Sequence, residues 1–303
     1  MSGSLGPGST TADVLAGVDL TGRSAVVTGA TTGVGIETAR ALASAGAAVT
    51  LAARRAGPAD RVASEIRETT GNPRVEVSAL DLADLGSVAA FAERWRGPLH
   101  MLVNLAALPM LPHRTRTPRG WDAQFAVNVV GHAALCRALR PALAAARGAR
   151  VVTSASRAHL YSPVVFDDLH FDFRPFDPAA AHAQAQTGAI LSAVAIGHLW
   201  AADGITADAA GLGHAEIDRI PPSPSVGDDP ATDASRTAAT PVMLAVADGV
   251  EGPGYHESCA RVAPVFRRPA EDVPGVAPYA LDPDNAARLW RVAAELANGV
   301  PHL

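Results

Sequence analysis

A chain of 303 residues, 48% hydrophobic and 18% charged with a formal net charge of −5, has ordinary globular composition and can bury a sizeable core. Its arginines are scattered, which excludes the concentrated basic face of a nucleic-acid or anionic-membrane binder and leaves a small molecule as the expected partner. Cys136 and Cys259 are too few for a disulfide framework or zinc cluster, no apolar run reaches spanning length, and no signal peptide is evident, so the cytoplasm is the expected compartment.

Residues 1–12, rich in Gly, Ser, Pro and Thr, read as a flexible leader, and 13–303 as one domain. From 23 to 199, short apolar runs at 24–28, 48–52, 75–79, 99–103 and 151–154 alternate with helical patterns such as 35–45, 59–69, 85–95 and 120–146. A further strand is expected at 206–210. The alternation predicts repeated βαβ units, hence an α/β fold: a Rossmann-type doubly wound parallel sheet with helices on both faces. Residues 161–178 form a long aromatic and acidic connection, and 211–235, rich in Pro, Gly and Asp, read as a substrate lid. Its Ile217, Ile220, Pro221 and Pro222 would suit a sizeable apolar molecule. A C-terminal amphipathic helix is expected over 282–297, with Asp282 as N-cap and Pro283 at its first position.

Between the first strand and first helix stands Thr28-Gly29-Ala30-Thr31-Thr32-Gly33-Val34-Gly35. Glycines there let a turn reach angles closed to other residues and let phosphate approach the main chain, while the helix that follows aims its N–H groups at a pyrophosphate. Gly29, Thr31, Thr32, Gly33, Val34 and Gly35 are therefore candidate dinucleotide contacts; the bland alternative is a tight turn. The second strand ends Ala52-Ala53-Arg54-Arg55 without a carboxylate for a ribose 2′-hydroxyl. Guanidinium suits a 2′-phosphate, so Arg54 and Arg55 favour NADP(H) over NAD(H), against the alternative of solvated surface arginines.

These motifs, with Asp19-Leu20-Thr21-Gly22, Leu80-Asp81-Leu82, Phe125-Ala126-Val127-Asn128, the run Ser154 to His159 and the run Asp282 to Trp290, resemble the short-chain dehydrogenase/reductase family. The branch most resembled holds the retinol dehydrogenases and the WW-domain oxidoreductase. The resemblance implies that Asp81 and Leu82 flank the adenine and that Asn104, with Ala106 in the same segment, lies near the cofactor. It implies that Asn128 and Ser156 belong to the catalytic group, and that the protein forms a homodimer or homotetramer. Family members complete the group with a tyrosine and, four residues later, a lysine; an ungapped alignment puts His182 and Gln186 there. Lysine is absent from the chain altogether.

A phenol needs the lysine cation to bring its pKa toward neutrality, and Gln186 carries no charge. An imidazole already titrates near neutrality, so His182 is a candidate acid/base, with Ser156 and Asn128 polarising a substrate oxygen. Three readings stay open. The favoured one is non-redox proton chemistry (dehydration, isomerisation or cyclisation) on an apolar carbonyl or hydroxyl metabolite, such as a natural-product intermediate, with NADP(H) held without turnover. The others are an NADPH-dependent carbonyl reductase using His182 as proton donor and a catalytically silent nucleotide-binding scaffold. His159 and His214 carry less weight.

Overall fold

The computed structural model describes residues 5–212, 230–250, 252–269 and 273–299. Its strands are β1 (Ser24–Thr28), β2 (Ala48–Ala53), β3 (Val75–Ala79), β4 (Met101–Asn104), β5 (Arg150–Ala155), β6 (Thr206–Gly211), β7 (Tyr255–Glu257) and β8 (Ala260–Arg261). They form one sheet in the order β3-β2-β1-β4-β5-β6-β7-β8, parallel except for the β7–β8 pair. The helices are α1 (Thr11–Val14), α2 (Gly33–Ser44), α3 (Ala56–Thr70), α4 (Leu85–Arg94), α5 (Ala123–Phe125), α6 (His132–Ala145), α7 (Pro178–Leu199), α8 (Pro230–Val246), α9 (Pro278–Leu281) and α10 (Pro283–Ala297).

Period-two burial sorts the helices into two layers. Ala25, Val27, Met101, Val103 and Val152 pack with α1, α2, α3 and α8 in one core. Their neighbours Val26, Leu102 and Val151 pack with α4, α6, α7 and α10 in the other. With both faces covered, β1 and β4 are apolar through their middles, as the short apolar runs of the sequence required. Between β1 and β4 the strand order reverses, so the crevice above Thr28 and Asn104, which are register partners, is the switch point where doubly wound sheets bind ligands.

The doubly wound single domain is as expected, with local differences. Thr11 and Ala12, read as leader, lie in α1, where Thr10 and Asp13 form a capping box and the Thr11 hydroxyl bonds Glu37 and Ser235. The fourth strand begins at Met101, because Leu99 donates its N–H to Ala142 on a helix. The helix expected over 120–146 is broken into α5, a π-helical turn (Ala126–Gly131) and α6. Within 211–235, Gly211 closes β6 and α8 opens at Pro230. Ile217, Ile220, Pro221, Pro222 and His214 lie outside the described residues.

Candidate active site

The sheet places one candidate after another along its carboxyl edge: Thr28 at the end of β1, Arg54 just past β2, Asn104 ending β4, Ser156 just past β5, and Gly211 ending β6.

The glycine turn has a definite division of labour. Gly29 takes φ +70°, and a Cβ on it would sit 2.8 Å from the Ala106 nitrogen. A Cβ on Gly35 would sit 2.2 Å from the Gly29 carbonyl oxygen, so Gly35 lets α2 close onto the turn. Gly33 differs: a Cβ there would meet nothing within 4 Å, so no neighbour among the described residues requires a glycine at that position. Thr32, the N-cap of α2, makes no side-chain cap bond, and no acidic residue stands in the first turn. The positive end of this 12-residue helix thus has no charge in its own first turn to offset it. Thr31 and Val34 are half-buried beside it.

Arg54 and Arg55 are exposed, and among the described residues neither guanidinium makes a hydrogen bond or ion pair. Asp81 accepts the Ala83 N–H and donates its own N–H to Ser87, which fixes the turn carrying Leu82. Leu82 is buried, and its carbonyl oxygen would lie 2.3 Å from a Cβ on Gly131. Asn104 is 1% exposed and turns its amide to the Cys136 sulfur at 3.3 Å, so its side chain faces the core. Burial raises the Cys136 thiol to about 12, leaving it protonated.

Asn128 sits on the π turn and is buried. Its Oδ1 accepts the Leu108 N–H at 2.8 Å and its amide donates to the Leu108 carbonyl at 3.1 Å, pinning the loop beyond β4. Ser156 is buried and caps the 3₁₀ turn Arg157–Tyr161, accepting the Ala158 N–H. Directly after it, Arg157 is clamped by Glu257 of β7, with Nε at 2.9 Å and Nη2 at 2.8 Å from Oε2, and the Tyr255 hydroxyl donates to Oε1 at 2.7 Å. Sequence reasoning missed this cluster because β7 is three residues long and carries no alternating pattern.

The model for short chain dehydrogenases matches residues 23–166. A protein of Streptomyces antibioticus described as a probable oxidoreductase is 42% identical over 297 residues, 92% of this chain and 98% of that one. Human retinol dehydrogenase 12 is 33% identical over 92% of this chain and 87% of its own. The chain belongs to the short-chain dehydrogenase family. Among solved structures, an uncharacterised protein from Mycobacterium paratuberculosis superposes with a TM-score of 0.77 at 30% identity, covering 96% of this chain and 98% of that one.

Within this short-chain dehydrogenase, His182 and Gln186 stand one turn apart on α7 and are both buried. His182 Nδ1 lies 3.2 Å from Oε1 of Gln124, which precedes Asn128 by about one turn. With the amide oxygen facing it, Nδ1 is the donor of this pair. Tyr255 is 0% exposed and donates to Glu257. Tyr279 donates to the His159 carbonyl, and burial raises its pKa. Tyr161 is exposed, its ring under the Arg268 guanidinium. His159 is structural: its Nδ1 donates to the Ser156 carbonyl at 2.7 Å and its Nε2 accepts the Ala277 N–H. Among the described residues no helix is long and apolar enough to cross a membrane, and no cluster could hold a metal ion.

Proposed function

We propose that this protein is an NADP(H)-dependent oxidoreductase acting on a carbonyl or alcohol, with His182 as its proton-transfer group. The observation that carries the nucleotide half is the open space at Gly33: the fold does not need a glycine there, whereas a phosphate lying against the α2 N-terminus does. Arg54, with no hydrogen-bond or ion-pair partner among the described residues, supplies the charge for a 2′-phosphate, and Arg55 stands beside it. When bound, the cofactor would supply or accept the hydride. The chain's own residues do the rest. The Ser156 hydroxyl orients the substrate oxygen, the His182 ring exchanges the proton at that oxygen, and Asn128 holds the wall of the site in place through Leu108. The full-length likeness to proteins described as oxidoreductases and dehydrogenases supports redox chemistry and moves the reading away from the non-redox chemistry that the sequence alone favours.

A second reading keeps the same proton transfer without hydride transfer. It is favoured by Gln186, which offers no cation, and by Tyr255 and Tyr279, whose hydroxyls are committed elsewhere. Calorimetric titration with NADP+ and NAD+ tests the shared part: the expected preference is for NADP+, and Arg54→Ala should cut it about tenfold, the loss of one charge-assisted contact. An unchanged preference would remove the NADP(H) assignment. Product formation with stoichiometric NADPH oxidation supports the first reading; product without oxidation supports the second.

A further inference from the structure

Behind the nucleotide turn lies a buried polar ring that the mechanism above does not use. The Thr28 Oγ accepts the N–H groups of Leu105 and Ala106, both at 3.0 Å. The same oxygen lies 3.1 Å from Nε2 of His132, and His132 Nδ1 lies 3.3 Å from the Asn128 carbonyl. Asn128 in turn grips Leu108 through both atoms of its amide. The segment 105–108 is thereby held at each end, and His132 joins the two holds. That segment also presses on the nucleotide turn, since the Gly29 Cβ position falls against the Ala106 nitrogen.

Donor counting decides the protonation. A hydroxyl has two lone pairs and one hydrogen. Both lone pairs of Thr28 are taken by backbone N–H groups, so its hydrogen must go to His132 Nε2. The proton of a neutral ring then sits on Nδ1 and points at the Asn128 carbonyl.

We propose that His132 is a positioning residue whose Nδ1–H tautomer fixes the 105–108 wall between the nucleotide turn and Asn128. The proposal rests on the reading that this crevice takes a dinucleotide. Nothing in it requires the ring to touch cofactor or substrate; it is 3% exposed. Burial also drives its pKa down to about 4, which keeps the ring neutral near pH 7.

Long-range ¹⁵N–¹H correlation on histidine-labelled protein should show His132 with a protonated Nδ1 and an unprotonated Nε2; the opposite tautomer overturns the proposal. In His132→Phe, amide exchange at Leu105 and Ala106 should accelerate about tenfold or more, equivalent to roughly one hydrogen bond, while Leu102 and Val103 in β4 keep their protection. NADP+ affinity should fall by a similar factor. Unchanged exchange at Leu105 and Ala106 also overturns it. Should His132→Phe fail to fold, the pair Thr28→Ser and Thr28→Val replaces it: serine should preserve the tautomer and the protection of both amides, and valine should lose both. The tautomer and exchange measurements need no nucleotide. If the wild-type protein does not bind NADP+, the functional reading falls while these measurements still decide the role of His132.

Discussion

Replacing Glu257 by glutamine removes one charge and leaves the side-chain volume almost unchanged. Glu257 is 4% exposed and receives Arg157 Nε at 2.9 Å, Arg157 Nη2 at 2.8 Å and the Tyr255 hydroxyl at 2.7 Å. In Glu257→Gln an amide NH2 would face guanidinium donors, and the Arg157 cation, its side chain only 17% exposed, would lose the Glu257 carboxylate opposite it. Orphaning one member of a buried pair costs about 3–5 kcal/mol. Because the Arg157 side chain keeps some contact with solvent, the lower end applies, about 3 kcal/mol, or roughly a 150-fold loss in the folding constant. Urea unfolding followed by circular dichroism reads it as a lower midpoint at unchanged slope. The double variant Arg157→Met with Glu257→Leu should recover most of the loss, since no charge is left buried. A loss below about 1 kcal/mol in the single variant would refute the claim that this pair ties the Ser156 segment to β7.

Gly33→Ala should fold with wild-type stability yet bind NADP+ at least about tenfold more weakly, because the new methyl group meets none of the described residues and would meet a bound phosphate. Gly35→Ala should instead lose about 1–3 kcal/mol of stability, as its Cβ must be relieved from 2.2 Å off a carbonyl oxygen; urea unfolding and calorimetry separate the two. Burial lowers His132 and His256 to about 4 and raises Asp208 to about 6. The histidines contribute stability that is present above pH 6.5 and lost as pH falls toward 4. Asp208 acts oppositely, its burial costing most above pH 6, so unfolding at pH 5 should show about 2–3 kcal/mol less stability than at pH 7. His182→Ala should abolish turnover while leaving NADP+ affinity within about twofold, and a fully active variant would remove its role.

The fold was legible where burial leaves a simple pattern. β1 and β3 occupy the expected residues and α10 begins at Pro283 after the Asp282 cap, as expected, because apolar runs and an Asp-Pro start have one structural meaning each. The π turn was not legible, since its apolar residues continue the helical pattern of α5 and α6 and an inserted residue leaves the composition unchanged. Strand β7 was hidden for the opposite reason: Tyr255, His256 and Glu257 are all buried, so polar residues stand where a strand pattern calls for apolar ones. In the site, the glycine turn announced itself, while the Thr28–His132–Asn128 ring joins residues up to 104 positions apart and has no local signature.

Thr28, Asn104, Ser156 and Gly211 come from four separate strand ends, and the sheet order β1-β4-β5-β6 brings them together although their sequence positions span most of the chain. Parallel neighbours cannot be joined by a hairpin, so each must wait for an intervening crossover to close. The four ends therefore stand together only once β6 has docked, and no fragment ending before β6 holds all of them. A dinucleotide that binds this crevice would select only chains whose central strands have all docked. It would serve as a checkpoint on assembly: refolding yields should rise with nucleotide present, through capture of the finished sheet rather than through acceleration of its early steps.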